Sequence, residues 1–287
     1  MRKVKLYENS SIKNIKEVHG FRFSKSLGQN FLTDKNIVDK IVDGAGIGPE
    51  DTVIEIGPGM GVITWEAASR ARKVIAIELD SSLIPILGET LARFDNVQII
   101  NQDVLKTDIN ELTDGEEAGH VKIIGNLPYY ITTPIIMKLL EDKVKAESLT
   151  IMTQKEVADR IGAGPGTKSY GALSIAVQFY CQVEKVTDVS RNSFIPAPNV
   201  DSTVLKLKFR QQPAAAVRNE PLFFKCVRAG FGQRRKTLSN SMQTLQGVSK
   251  DLIRDSLDAA GIDPARRAET LSIEEFAKFS DEVDKRL

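Results

Sequence analysis

The chain has 287 residues, of which 41% are hydrophobic and 27% are charged, so it can bury the core of one large domain, or of one large and one small domain. Its apolar runs are far too short to span a bilayer, and we see no apolar segment of a secretory signal. Two cysteines and two histidines without paired spacing argue against a disulfide framework and a zinc enzyme. We therefore predict a protein without a bound metal in the reducing cytoplasm.

Charge is segregated along the chain, although the formal net charge is only +1. Residues 1–40 carry nine Lys or Arg against four Asp or Glu, and residues 205–240 carry nine against one. The rest of the chain is therefore acidic. This distribution is expected of a protein that meets a polyanion along two surfaces. A merely solvated surface is the alternative, and it explains residues 205–240 least well.

The first half of the chain alternates between strand and helix patterns. It begins with a basic segment, residues 1–25, which we predict to be a mobile arm. Thr33 or Asp34 can then cap a helix that continues to about Gly44. The predicted strands are 52–56, 74–79, 97–100, 121–124 and 148–153, and the predicted helices after them are 62–70, 82–93, 133–145 and 155–161.

The pattern continues with a glycine-rich loop at 162–168, a predicted helix at 172–180 and two antiparallel strand candidates at 182–189 and 203–209. Alternating strands and helices predict an α/β fold in which helices cover both faces of a mostly parallel sheet. The late hairpin is typical of a class I, Rossmann-like methyltransferase rather than of a plain dinucleotide-binding domain. We assign this domain to residues 26–210.

Only helical patterns follow residue 210. Ser249 can cap a helix that stops at Gly261, and Ser272 with Glu275 forms the pattern of a capping box. We predict a smaller all-helical domain over residues 215–287.

Residues that suit a nucleoside follow three successive strands. Gly57 and Gly59 come after the first strand, where glycines let the backbone approach a ligand closely. Glu78 lies at the end of the second strand, where an acceptor for ribose hydroxyls belongs. Asp103 follows the third strand, and its carboxylate can accept from the exocyclic amine of an adenine. Taken singly, the glycines could form a tight turn and Glu78 could be a solvated carboxylate.

The loop after strand 121–124 offers a second kind of chemistry. Asn126 brings a carboxamide, Pro128 biases Leu127 toward an extended conformation that can turn its carbonyl away from the strand, and Tyr129 adds an aromatic face. Two acceptors beside a stacking surface suit a planar group with an exocyclic amine, such as an adenine extruded from its stack. A rigid strand-to-helix turn is the alternative.

Asn126 also completes the set at the carboxyl ends of the strands. Four coincident placements at one sheet edge are much less probable by chance than any one of them. The sequence therefore predicts a site for a nucleoside-containing cofactor, with nothing that would hold a triphosphate.

Several motifs together closely resemble the bacterial small-subunit ribosomal RNA adenine dimethyltransferases. They are Ser26–Leu32, Glu55–Gly61, Asn126–Tyr130, Phe194–Ser202 and Phe231–Leu238, and the resemblance extends from about residue 20 to the C-terminus. It implies S-adenosylmethionine as methyl donor and N6,N6-dimethylation of two adjacent adenosines in the 3′-terminal hairpin loop of 16S rRNA. The substrate would be the RNA within a small subunit or its precursor, and we expect a monomer.

The resemblance also implies roles for single residues. Gln29, Asn30 and Leu32 would close over the methionine end of the cofactor. Asn126 and Leu127 would act on the reacting amine, Tyr129 would stack on the base, and Phe194 would form a second wall, unless it packs in the core. Arg234, Arg235 and Lys236 would bind RNA phosphates, with a solvated basic helix as the alternative.

Two other functions remain open from the sequence. The 23S rRNA adenine methyltransferases of macrolide resistance share the Gln-Asn-Phe and Asn-x-Pro-Tyr pieces, although Phe194–Ser202 and the Arg234–Leu238 run favour the small-subunit enzyme. A non-catalytic ribosome assembly factor that keeps the fold is the other alternative. The intact cofactor set speaks against it.

Overall fold

A computed structural model describes residues 28–287 continuously and, before them, Tyr7, Ile15 and residues 17–21. Most of the predicted N-terminal arm and the first two residues of the Ser26–Leu32 motif lie outside the described residues. No helix in these ranges is long and apolar enough to cross a lipid bilayer.

Most strands join one twisted sheet. In chain order the strands are β1 (Phe31–Leu32), β2 (Thr52–Ile56), β3 (Lys73–Glu78), β4 (Val97–Asn101), β5 (Val121–Asn126), β6 (Ser148–Gln154), β7 (Cys181–Val189), β8 (Phe194–Ile195) and β9 (Ser202–Phe209). Within the described residues, the sheet has the order β4-β3-β2-β5-β6-β9-β7, with parallel pairs from β4 to β6 and an antiparallel β6–β9 pair. The predicted α/β fold with a late antiparallel pair is confirmed. A separate pair, β1 with β8, was not predicted, because two-residue strands have no detectable period.

Helices connect these strands and follow them. They are α1 (Lys35–Ala45), α2 (Val62–Ala68), α3 (Ile84–Thr90), α4 (Ile109–Leu112), α5 (Thr132–Glu141), α6 (Lys155–Ile161), α7 (Ala172–Tyr180), α8 (Glu220–Gly232), α9 (Leu238–Ser241), α10 (Lys250–Ala259) and α11 (Ile273–Asp284). Asp34 caps α1 by accepting from the Asn36 N–H, and α11 begins with the predicted capping box. α5 ends earlier than predicted, since Lys143 adopts a left-handed φ of 49° just beyond it.

The chain divides into two compact units. The first unit contains residues up to Ala158 together with Glu184–Phe209, and the second contains Asp159–Val183 together with Arg210–Leu287. Residues 159–183, which the sequence prediction kept in the sheet domain, therefore group with the C-terminal helices. Phe179 of α7 illustrates the reason, because it stacks on Phe223 of α8 at 4.8 Å between ring centroids. Periodicity within α7 cannot reveal such a distant partner.

Two described residues of the predicted mobile arm are packed instead. Ile15 and Phe21 are buried in the core of the first unit, and the Phe21 ring meets Phe31 edge-on at 5.9 Å. Burial of apolar side chains holds these positions in the fold, so the prediction of a mobile arm does not apply to them. For the remainder of residues 1–25 it stays a prediction.

Lys122 is buried near the amino-terminal end of β5, where its amine has several polar partners. Lys122 of β5 donates to the Gly46 carbonyl at 2.6 Å and to Asp51 at 2.7 Å, and its amine lies 3.4 Å from Glu147. The side chains of Lys122 and Asp51 are only 9% and 6% exposed. Since Gly46 ends α1, this amine ties the helix C-terminus to the central strands. A buried charge with several partners costs little, but the same charge without them is expensive.

We expect Lys122→Ala to lower the free energy of unfolding by about 3–5 kcal/mol, because Asp51 then stays buried without its counter-charge. Denaturant unfolding followed by circular dichroism measures this loss. Lys145→Ala, at an exposed position, is the matched control and should stay within about 0.5 kcal/mol of the unmodified protein. A loss below about 1 kcal/mol for Lys122→Ala would show that Asp51 is adequately solvated without it.

Candidate functional site

The carboxyl ends of β4, β3, β2 and β5 lie side by side and border a cavity of about 120 Å³ in the first unit. All the predicted cofactor residues line it, namely Gln29, Asn30, Leu32, Gly57, Gly59, Glu78, Asp103 and Asn126. Leu127 and Tyr129 line it as well. Parallel pairing brings residues that are far apart in sequence to one edge of the sheet.

Glycines at this edge meet two different constraints, a left-handed backbone at Gly57 and Gly59 and crowding at Gly59 and Gly125. Gly57 and Gly59 adopt φ values of 69° and 61°, and a Cβ at Gly59 would lie 3.0 Å from the Phe31 ring. Gly125 near the end of β5 is equally constrained, since its Cβ would lie 2.9 Å from the Ile56 carbonyl oxygen. The glycines therefore let the loop after β2 and the end of β5 come close together.

Glu78 is buried at the end of β3, and two backbone N–H groups hold its carboxylate. Asp80 donates to Oε1 at 2.8 Å and Gly59 donates to Oε2 at 3.2 Å. Burial raises the pKa of Glu78 above its ordinary value, and these two hydrogen bonds oppose the increase. A carboxylate oxygen accepts more than one hydrogen bond, so Glu78 can bind a hydroxyl group without releasing its backbone donors.

Asp103 lines the cavity from the loop after β4. Its Oδ1 atom accepts the Leu105 N–H at 3.0 Å and caps a short 3-10 helix. This bond fixes the carboxylate beside the cavity. The predicted role of Asp103, to accept from an adenine amine, requires such a position.

The orientation of the Asn126 carboxamide follows from its partner. Its Nδ2 atom donates to the Asn30 carbonyl oxygen at 3.0 Å. A carbonyl oxygen can only accept, so the nitrogen must face Asn30 and the amide oxygen must face the other way. Asn126 lines the cavity, and its amide oxygen is the group that the bond to Asn30 leaves available as an acceptor.

Two tyrosines follow Asn126. Tyr129 is half-buried, its hydroxyl lies 2.7 Å from the Ser202 hydroxyl, and burial raises its pKa above the ordinary value. Tyr129 is therefore neutral, and its hydrogen bond to Ser202 of β9 fixes the position of its ring. Tyr130 also lines the cavity but is 58% exposed. The sequence analysis assigned it no role, although its place in the same motif was a usable signal.

Phe194 lies in a different place from the one predicted. It is buried in the core of the first unit, does not line the cavity, and pairs through β8 with Leu32 of β1. The core-packing alternative describes this position, because an apolar ring is most stable away from water. Through the β1–β8 pair, Phe194 lies opposite Leu32, which lines the cavity.

The predicted RNA-binding residues belong to the second unit, on a turn after α8 rather than on a helix. Arg235 and Lys236 are exposed. Arg234 is engaged within the unit, since its guanidinium donates to the carbonyls of Lys168 at 2.7 Å and Tyr170 at 3.1 Å. Its Nη2 group holds the end of the 162–168 loop, while the side chain stays 45% exposed.

Comparison with known proteins decides the family. A family model described as ribosomal RNA adenine dimethylase matches residues 20–285. The chain belongs to this family. The resemblance predicted from the motifs is confirmed, and membership makes the chain an rRNA adenine dimethyltransferase.

Relatives of the dimethylase family cover nearly the whole chain. Ribosomal RNA small subunit methyltransferase A of Clostridioides difficile (strain 630) is 54% identical over 98% of this chain and 97% of its own length. Its namesake in Alkaliphilus metalliredigens (strain QYMF) is 55% identical over 97% and 98%.

Solved structures agree with the predicted fold. The dimethyladenosine transferase from Plasmodium falciparum superposes with a TM-score of 0.77 at 27% identity, covering 89% of this chain and 98% of that one. The 23S rRNA methyltransferase ErmE superposes with a TM-score of 0.68, also at 27% identity, covering 89% and 100%. These similarities confirm the methyltransferase-type α/β fold.

Glu55, within the dimethylase glycine motif, is a residue whose behaviour the sequence analysis missed. Glu55 belongs to β2 and its side chain is buried. Its Oε2 atom has no hydrogen-bond partner within the described part of the chain. Burial, reinforced by the nearby charge of Glu78, raises the pKa of Glu55 to about 8. A charged residue inside the apolar run of β2 was the available signal.

The raised pKa of Glu55 predicts how stability changes with pH. The protonated form suits the folded state, so the contribution of Glu55 is fully present below its ordinary value of 4.5 and is lost as pH increases toward about 8. Between the ordinary pKa and the raised pKa, the free energy of unfolding decreases by up to about 1.4 kcal/mol for each unit of pH. We expect the neutral Glu55→Gln variant to lack this loss, so that its unfolding free energy changes less between pH 5 and pH 8.

Denaturant unfolding at several pH values measures the two slopes, with Glu50→Gln at an exposed position as the matched control. Parallel curves for the unmodified protein and Glu55→Gln would contradict the raised pKa.

Proposed function

We propose that the protein transfers methyl groups from S-adenosylmethionine to N6 of two adjacent adenosines in the 3′-terminal hairpin loop of 16S rRNA. It would act as a cytoplasmic monomer on a small ribosomal subunit or its precursor. The observation that carries the proposal is one cavity lined by Glu78, Asp103, the glycine loop and an Asn126 carboxamide that the Asn30 carbonyl orients.

The residues around the cavity fit S-adenosylmethionine. The left-handed glycine backbone at Gly57 and Gly59 has no side chain to hinder close approach of a ligand, and buried Glu78 suits the ribose hydroxyls. Asp103 suits the adenine amine. Gln29, Asn30 and Leu32 would hold the methionine end. When bound, this cofactor supplies an electrophilic methyl group.

The chemistry left to the protein is at the target amine. An adenine amine is a poor nucleophile because its lone pair is delocalised into the ring. Acceptors from the Asn126 side chain and the Leu127 carbonyl would favour the tetrahedral nitrogen, on which positive charge develops in the transition state. The methylated nitrogen loses its proton readily to water, so no strong base is needed.

The base itself would be held by stacking. Tyr129 is fixed through Ser202 and would contact one face of the extruded adenine, for which stacking contributes about 1–3 kcal/mol. Phe194 would support this end of the site indirectly, through the β1–β8 pair and Leu32.

The small-subunit substrate is favoured over the 23S alternative by the relatives. Proteins named small subunit methyltransferase A are 54% and 55% identical to this chain, whereas ErmE is 27% identical. The complete set of cavity residues favours an enzyme over a non-catalytic assembly factor.

We expect the unmodified protein to transfer tritiated methyl groups from S-adenosylmethionine to small subunits that lack the modification, and not to large subunits. Asn126→Ala should lower the single-turnover rate by about two to three orders of magnitude at saturating cofactor, because the reacting nitrogen then lacks one oriented acceptor. Mapping the labelled nucleotides identifies the product.

Asn192→Ala, which changes an exposed asparagine of the same unit, is the control and should keep the full rate. Label in large subunits alone would favour the 23S alternative, and label in neither would favour an assembly factor. An unchanged rate for Asn126→Ala would make its loop a structural turn.

Arg235 and Lys236, exposed on the turn after α8, predict a separate effect on RNA binding. Changing Arg235 and Lys236 together to Ala should weaken RNA association and flatten its dependence on log salt by up to about 0.9 for each phosphate that the variant no longer binds. Cofactor affinity should be unchanged, since neither residue lines the cavity. RNA titrations at several salt concentrations measure the slope.

The control is the double variant Lys250→Ala with Arg254→Ala. It removes the same amount of positive charge, but from α10 instead of the turn. An equal slope change in the control would mean that overall charge, rather than this turn, attracts the RNA.

A further inference from the structure

The segment Gly28–Asn30 lines the cavity just before β1, and two side-chain hydrogen bonds join it to more distant residues. It forms a tight turn in which Gly28 has a φ of 59° and the Asn30 side chain donates to the Gly28 carbonyl at 3.0 Å. One of these two bonds runs from Asn126 to the Asn30 carbonyl, at 3.0 Å. The other is a bond from the Gln29 amide to Asp80 Oδ2, at 2.6 Å.

Asp80 is well placed to be the fixed end of this arrangement. Its Oδ1 atom accepts from the Ser82 N–H at 3.0 Å and from the Ser82 hydroxyl at 2.6 Å, capping the 3-10 helix that follows β3. Its own N–H donates to Glu78. Asp80 is not among the residues that line the cavity, so it has no direct route to the substrate.

We propose that Asp80 is a positioning residue for methyl transfer, which acts through Gln29 and the Asn30 carbonyl to keep the Asn126 amide oxygen turned toward the target amine. The proposal rests on the proposed function of Asn126. It assigns Gln29 a structural bond in addition to the predicted contact with the cofactor.

The physical reason is the near-symmetry of a carboxamide. Rotation of the Asn126 amide by a half turn exchanges its oxygen and its NH₂ group, and an NH₂ group facing the target amine would repel it. The Asn30 carbonyl removes this alternative only while it stays in place. Pairing of β1 with β8 holds the chain on the Phe31 side of that carbonyl, and the Gln29–Asp80 bond holds the other side, next to the left-handed Gly28.

Asp80→Ser tests the proposal because it separates two functions of one carboxylate. Serine caps a helix about as well as aspartate, but its side chain is too short to reach Gln29. We expect the single-turnover methyl-transfer rate on small subunits to fall about tenfold at saturating S-adenosylmethionine and RNA. Ser82→Ala, which removes a bond to the other oxygen of Asp80 but leaves the Gln29 bond, is the matched control and should keep the rate.

A merely structural role is distinguished by combining variants. If Asp80 acts through Asn126, then Asp80→Ser should cause no further loss in the Asn126→Ala background, whereas independent effects would multiply. Gln29→Met removes the same bond from the opposite side and should behave likewise. If thermal unfolding shows that Asp80→Ser does not fold, Gln29→Met takes its place in the test.

The outcomes separate this proposal from the proposed function. An unmodified protein without transfer to RNA would overturn the function itself. With transfer present and Asn126→Ala impaired, an unchanged rate for Asp80→Ser, or a multiplicative loss in the double variant, would overturn the positioning role alone. A slower Asp80→Ser variant, together with a double variant no slower than Asn126→Ala, would support it.

Discussion

Parallel pairing of β4, β3, β2 and β5 is the constraint on which the site depends. Each strand of a parallel set ends at the same edge, so four loops begin side by side whatever their distance in sequence. The register matters as much as the order. Ile56 lies opposite Gly125, and Glu78 lies opposite Asn101, so a shift of one residue would turn Glu78 away from the glycine loop.

The polar groups at that edge are held by backbone and by one another. Glu78 accepts from Gly59 and Asp80, and Asn126 donates to Asn30. Such bonds fix where an acceptor points before any substrate arrives, which is the main way a protein stabilises charge that develops in a transition state. Burial raises the pKa values of Glu55 and Glu78, because removing a charged carboxylate from water costs free energy.

The second unit shows how one basic run can contain residues with different tasks. Arg234 binds two backbone carbonyls and lies 3.4 Å from Glu269, while Arg235 and Lys236 are exposed on the same turn. A guanidinium has several donors in a rigid fork, so Arg234 can organise a loop, whereas the same group at Arg235 is exposed and has no partner of this kind in the part of the chain that the structure describes. Net charge along the sequence does not distinguish these tasks.

The sequence by itself determined the alternation of strands and helices between residues 52 and 161, the capping box at Ser272, and the placement of polar candidate residues at the strand ends. These features depend on local period, on turn chemistry and on the rule that parallel strands end at one edge. The motifs also determined the family.

Only the tertiary structure decided which side chains become buried or engaged by distant partners. It placed Phe194 in the core, joined residues 159–183 to the C-terminal helices, paired Arg234 with the loop carbonyls and linked Asp80 to Gln29. Each of these outcomes depends on neighbours far away in the chain, whose distance and burial set hydrogen bonding and pKa. Local sequence carries no record of them.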